Sequence, residues 1–245
     1  MIAQLRAELL KQRSTRTDLG LFAALLGLVL LALILHGFGL RAEELARRNN
    51  QLMILGRGEF LAALFAALLG ATSITAEIRH GTIRPTCLAT PRRGRVLAAK
   101  VGVSGVIGAG LGLAASGLAA AAGTVALNSR GIHIQLDRGD YLLLIAGGGS
   151  AAALWAAVGV GIGAVVRNQV AALVGIAAWL LFFEGLLGGD LGDAGRFAPG
   201  ALGMAASGQE PETLVAPGVG VALLAVYAIV AVAAGCLATT RRDVG

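Results

Sequence analysis

Residues 77–100 read EIRHGTIRPTCLATPRRGRVLAAK, and the rest of the chain falls into order on either side of them. The stretch separates two long apolar runs and is both basic and rich in helix punctuation. It holds six of the twenty Lys and Arg residues: Arg79, Arg84, Arg92, Arg93, Arg95 and Lys100. Gly81 closes the first apolar run, at the kind of position just past a helix end that favours glycine. Pro85 suits the first turn of a short helix and pushes Arg84 out of helical geometry. Thr90 and Pro91 repeat the signal, an N-cap residue followed by proline in the first turn. The pattern is helix stop, short helix, helix start. Two long apolar helices are thus joined by a small, basic, structured connector at 79–95. Such a connector suits docking to another protein. A short loop whose arginines only set membrane topology accounts for the same spacing.

The flanking runs decide the fold class. Of 245 residues, 56% are hydrophobic and 14% charged, against about 25% charged in a soluble domain. The apolar residues form long runs without alternation, which predicts an all-α polytopic membrane protein and not a barrel. Six spans are expected, at 19–40, 60–78, 96–127, 141–166, 170–187 and 214–237, within one transmembrane domain covering 1–245. The third is long enough that it must tilt or project beyond the bilayer. Residues 1–18 are expected to form an interfacial helix in contact with lipid. Ile2, Leu5 and Leu9 recur there at helical spacing, while Gln4, Glu8, Lys11 and Gln12 face elsewhere. The length of the basic leader and of the first apolar run, with more spans following, argues against a cleaved signal peptide.

Charge follows sidedness. With the N-terminus inside, thirteen Lys and Arg fall inside and seven outside, while ten of the fourteen acidic residues fall outside. That bias obeys the positive-inside rule and predicts both termini in the cytoplasm. The net charge of +6 forms no stripe or groove, so nucleic acid is not an expected partner. Only two basic residues are lysine, and Ala and Gly abound, a bias that suggests a GC-rich bacterial genome. Cys87 and Cys236 form no disulfide framework and are expected as reduced thiols at the cytoplasmic face.

The outer segments differ. Residues 41–59 read as a mixed-charge connector, with helix expected at 42–48, that includes Glu59, and 128–140 as a short polar one. Residues 186–213 form the longest, and their apolar part, 197–206, is too short to cross, so it is expected to be re-entrant or interfacial. The connector at 167–169 is so short that spans four and five should be antiparallel neighbours. Glycines crowd spans three and four, where small residues let helix backbones approach closely. No internal repeat is evident, which counts against an inverted-repeat carrier.

The chain lacks the chemistry of several enzyme classes. A P-loop needs lysine after glycine, and the only lysines are Lys11 after Leu10 and Lys100 after Ala99. ATP hydrolysis by that motif is therefore absent from this chain, and no enzymatic activity is expected of it. His36, His80 and His133 are isolated and divided between the two sides, so no metal site is expected. No HExxH or GxSxG pattern occurs. Glu184 is the one carboxylate read as lying within an apolar run. It is a weak candidate for a substrate path with Phe182 and Phe65, its proximity to the outer surface favouring a structural role. Glu77, at the inner end of span two, can pair with Lys100 or Arg95 on antiparallel span three.

Together these residues resemble the permease subunit of an ABC exporter of the type-2 class, which includes drug, antibiotic and polysaccharide exporters. The resemblance covers the full length. Its most specific part is Glu77, Gly81-Thr82, then Leu88-Ala89-Thr90-Pro91-Arg92-Arg93, then Lys100. This is similar to the family pattern of a glutamate and Gly-Thr, a Leu-x-x-Pro-x-Arg core and a lysine. Phe197-Ala198-Pro199-Gly200 resembles the segment before the family's last span. Arg92 departs from the small or aliphatic residue common there.

The resemblance implies a bacterial plasma-membrane subunit that exports an amphipathic drug, antibiotic or peptide and contributes to drug resistance. Two such subunits, identical or related, would sit on two copies of a separate ATPase. That partner would bind ATP and Mg, and this chain would bind no cofactor. The connector would be the coupling helix. Glu77, Gly81, Thr82, Ile83, Arg84, Pro85, Thr86, Leu88, Pro91, Arg92, Arg93 and Lys100 would serve coupling to the ATPase. A regulatory or structural membrane subunit without transport fits the same composition. A secondary carrier is expected to place acidic or polar groups at mid-membrane, and the spans read as almost bare of them.

Overall fold

The computed structural model describes residues 16–81, 93–184, 186, 192–209 and 213–241, and these form helices and no strand. In chain order the elements are α1 (Arg16–Gly39), α2 (Ala42–Leu45), α3 (Arg48–Leu55), α4 (Arg57–Arg79), α5 (Arg93–Ser129), α6 (Arg138–Val166), α7 (Gln169–Ala178), α8 (Pro199–Ala206) and α9 (Pro217–Arg241). A π-helical turn, Trp179–Phe183, extends α7, and a 3₁₀ turn, Gly192–Phe197, leads into α8. The chain is a helical membrane protein. Four helical stretches are long and apolar enough to cross a bilayer: Arg48–Arg79, Gly94–Ser129, Arg138–Val166 and Pro217–Thr240. Phe22–His36 and Gln169–Phe183 are shorter apolar helices.

The α6 helix is the hub. It packs against α4, α5 and α9 along its length and also touches α7 and α8. Missing side chains make this possible. A Cβ at Gly159 would strike the carbonyl of Ala67 on α4, and one at Gly70 on α4 would strike Ala156 of α6. On the α5 side, Gly108 faces Ala152 and Gly112 faces Gly148, while Gly161 lies on Ala231 of α9. Three apolar clusters fill the remaining space. One joins Leu25 and Val29 of α1 to Leu52 and Leu55 of α3 and Leu111 and Ala115 of α5. A second joins Ala63, Trp155, Ile176, Leu202 and Leu224. The third, Ile74, Leu97, Val160 and Ala164, lies at the opposite end of the bundle. The two ends are named here for Arg48, which bonds Asp140, and for Lys100.

Several expectations change. Within 41–59, α2 falls inside the helix expected at 42–48, but α3 continues as a further helix, and Leu45, Gln51, Leu52, Ile54 and Leu55 are buried. Only Gly56 separates α3 from α4, and it keeps right-handed helical geometry, so Arg48–Arg79 forms one long apolar stretch. Glu59 therefore lies about 16 Å along the axis from Arg48, at 1.5 Å per residue, and not outside the bundle. The third run extends from 96–127 to the 37 residues of α5. Arg167 turns the chain between α6 and α7 with a left-handed φ of 57°, and the Asn168 side chain caps α7 by accepting from Ala171 N at 3.0 Å. Beyond that turn, however, α7 packs chiefly on α4 and less on α6.

Gln51 shows why α3 belongs to the core. Its Nε2 donates to Leu45 O at 3.0 Å and to His133 O at 2.9 Å, and its Oε1 accepts from Gln135 N at 2.8 Å. One buried amide thus fastens α3 to the turn between α5 and α6. Gln51→Leu keeps the volume but strands those backbone groups, and it is expected to cost about 2–4 kcal/mol. Denaturant unfolding in detergent measures this; an unchanged midpoint would mean that the fastening carries no stability.

Candidate functional site

At the Lys100 end, α4 and α5 are joined by a buried ion pair. Lys100 is 2% exposed although it lies only seven residues into α5. Its Nζ donates to Glu77 Oε1 at 2.9 Å and to Ser73 O at 2.9 Å. Both partners belong to the last two turns of α4, so the lysine bridges the ends of two antiparallel helices. A buried cation is tolerated only with such compensation. Beyond it, α4 ends at Arg79, His80 N bonds Ala76 O, and Gly81 adopts a left-handed φ of 68°. A Cβ there would bring backbone strain. The path of α4 thus stops at Gly81, four residues after Glu77. Arg93 opens α5. Thr82, Ile83, Arg84, Pro85, Thr86, Leu88, Pro91 and Arg92 lie outside the described residues, as do Cys87 and the leader at 1–15. Cys236, half-buried on α9, faces Gly94 near the start of α5.

A second polar site lies inside the bundle toward the Arg48 end, where α8 is tucked between α9, α6 and α4. Two carboxylates converge on its glycines. Glu184, at the end of the π-helical turn, accepts from Gly200 N at 2.8 Å and from Trp179 Nε1 at 2.7 Å. It therefore caps a helix whose own N-cap residue, Ala198, has no side-chain acceptor. Glu59 of α4 is 2% exposed. Its Oε1 lies 2.6 Å from where a Cβ on Gly203 would be, so glycine is needed there for the approach. Its Oε2 accepts from Gln209 Nε2 at 3.3 Å. Gln209 Nε2 also reaches Ser207 Oγ at 2.7 Å and Gly56 O at 3.4 Å. The segment following α8 is thereby fixed to the junction of α3 and α4. The indole Nε1 of Trp155 and the hydroxyl of Ser116 are buried beside this cluster with no hydrogen-bond partner among the described residues.

Of the residues read as a substrate path, Glu184 has the capping role just described. Phe65 packs with the first apolar cluster, and Phe182 is 66% exposed. The larger surprise is Glu59, which sequence reasoning assigned to an external connector. The interior is also less bare than expected, since Gln51, Glu59, Ser104, Ser116, Ser207 and Gln209 are all buried. The signal was present in Leu52, Ile54 and Leu55, apolar positions that continue helically through Gly56 and Gly58 into the next run. Among the described residues, no three His, Cys, Asp or Glu side chains gather as a metal site. No protein-family model matches the chain, and no curated protein is detectably similar to it.

Proposed function

We propose that the chain is the transmembrane subunit of an ATP-driven exporter, coupling ATP hydrolysis on a separate ATPase to efflux of an amphipathic substrate. The observation that carries this reading is the buried Glu77–Lys100 pair at the base of the basic connector. A connector that is to transmit a push needs both its helices clamped, and a buried ion pair with a second bond from Lys100 to Ser73 O supplies the clamp. The sequence resemblance supplies the rest: six spans, a coupling helix in the connector, two permease copies on two ATPase copies, and both termini in the cytoplasm of a bacterial cell. The Lys100 end is then cytoplasmic and α8 lies toward the outside.

The test is the composition of the native complex after co-expression with an ATPase encoded beside this gene. Two copies of this chain, or one with a related chain, together with two ATPase copies, are expected in the native mass. Substitution of Arg84 or Pro85 is then expected to lower substrate-stimulated ATPase activity at least tenfold, a loss of about 1.4 kcal/mol or more in coupling. Purification of this chain without any ATPase would overturn the reading. One observation favours a second reading, a secondary carrier: Glu59 is an ionisable group inside the bundle, the kind of residue used in proton relays. Vesicle efflux separates the two, because a carrier runs on an ion gradient without ATP or partner.

A further inference from the structure

At the Lys100 end, two arginines finish two of the spanning stretches. Arg79 is the last residue of α4, and Arg167 follows the last residue of α6. Gly159 lies on Ala67 and Gly163 on Ala71 and Ile74, so α4 and α6 run in the same direction and keep register. Arg167 comes four residues after Gly163 and Arg79 five after Ile74, about 6 and 7.5 Å farther at 1.5 Å per residue. Both therefore emerge at nearly the same depth. The 29 residues of α6 extend about 44 Å, the thickness of a bilayer with its headgroups, which sets that depth at the headgroup layer.

Gln169 brings the two closer. Arg79 Nη1 donates to Gln169 Oε1 at 3.3 Å, two residues beyond Arg167. Arg79 is exposed and Arg167 partly so. Among the described residues neither forms an ion pair, and the acidic neighbour of Arg79, Glu77, is turned onto Lys100. Two guanidinium groups, charged at any working pH, thus face the surface together. The backbone at Arg167 is an independent sign. Its φ of 57° makes it the one non-glycine residue in the left-handed region among the described residues. Gly81, Gly131 and Gly208, each just past a helix end, fill the equivalent conformation with glycine, which bears it with less strain. An arginine standing where glycine fits more easily points to a role for its guanidinium.

The surface beside Arg167 is apolar. Val166, Val170 and Val174 are 40%, 67% and 60% exposed, and the last two are one turn apart on α7 as it re-enters the bilayer. A partner that matches this surface carries a negative head and a hydrocarbon tail. The planar fork of arginine can bond two phosphate oxygens at once, and basic pockets between helix ends suit anionic lipid headgroups. We propose that Arg79 and Arg167 form a binding site for an anionic glycerophospholipid, its phosphate held between the two guanidinium groups and an acyl chain laid along Val170 and Val174. The lipid ties the end of α4 to the turn between α6 and α7. The site requires only that the chain spans a membrane and stands apart from the exporter reading.

The test uses the full chain in mild detergent with phosphatidylglycerol or phosphatidylcholine added. Native mass is expected to show one phosphatidylglycerol held per chain, at least about tenfold more tightly than phosphatidylcholine, as two arginines at a membrane surface provide. Arg167→Gly should lose most of that preference, and Arg79→Gln, Arg167→Gly all of it. Glycine accepts the left-handed turn, so Arg167→Gly should keep its lipid-free melting temperature, which separates loss of lipid from loss of fold. Arg95→Gln removes the same charge at the same end, on α5 next to Gly94, which faces Cys236 of α9, and should bind lipid as the parent does. Equal binding of the two lipids, an unchanged preference in the double variant, or an equal loss in Arg95→Gln would each overturn the proposal, the last by showing that any charge at this end attracts anionic lipid. Complete displacement of phosphatidylglycerol by inorganic phosphate would overturn it too, by revealing a site for a free anion. Neither ATPase nor transported substrate is present, so failure here is distinguishable from failure of the exporter reading.

Discussion

Lys100→Met is expected to destabilise the protein by about 3–5 kcal/mol, the range found when one partner of a buried ion pair is removed. Methionine fills most of the space of the lysine stem. The loss would therefore arise from electrostatics and hydrogen bonding and not from a cavity. It leaves the Glu77 carboxylate in a dry site without the ammonium 2.9 Å away, and it takes the donor from Ser73 O. The double variant Lys100→Met, Glu77→Gln should recover much of that cost, because the buried charge disappears with its partner. Denaturant midpoints of the four proteins of the cycle give the interaction directly. Additive losses would show that the two residues act separately and would remove the clamp from the base of the connector.

Gly159→Val is expected to have a comparably large effect, a loss of more than about 3 kcal/mol or failure to assemble, through overpacking. The new Cβ would meet the Ala67 carbonyl oxygen, with Ala67 C at 2.8 Å and Cα at 2.9 Å. These are backbone atoms of α4 and cannot rotate aside, so the helices must separate along their main contact. Gly117→Val is the matched control, since a Cβ at Gly117 meets nothing within 4 Å. Valine there should be neutral or slightly stabilising, because it is a better helix residue than glycine. Thermal unfolding in detergent compares the two. Equal effects would mean that glycine content alone, and not the α4–α6 contact, governs packing.

That contrast also explains how much of the fold was legible in the sequence. Apolar runs announced membrane helices, because twenty or so apolar residues admit few other structures. Gly81 announced the end of α4, and the Glu77–Lys100 pair could be anticipated from two opposite charges at facing helix ends. Glycine spacing, by contrast, could not separate Gly108 and Gly112, which meet α6, from Gly110 and Gly117, which face open space. That division depends on the rotation of α5 about its own axis, set by partners far away in sequence. Glu59 was misplaced for a related reason. Charge density over 41–59 resembles that of an exposed connector, yet Gln51 and Gln209 draw the segment inward through bonds spanning 82–84 and 150–153 residues. The π-helical turn at Trp179–Phe183, which delivers Glu184 to α8, had no distinguishing mark among its apolar residues.

The central place of α6 also sets a timetable for biogenesis. During synthesis, α1, α4 and α5 leave the ribosome before the helix that joins them. Until α6 arrives, the bare backbone around Gly70, Gly108 and Gly112 has no partner shaped to receive it. The Glu77–Lys100 pair and the cluster around Leu25, Leu55 and Leu111 can hold these early helices together, but their glycine faces stay open until residues 138–166 enter among them. The tightest helix contacts of this fold can therefore form only in the second half of synthesis.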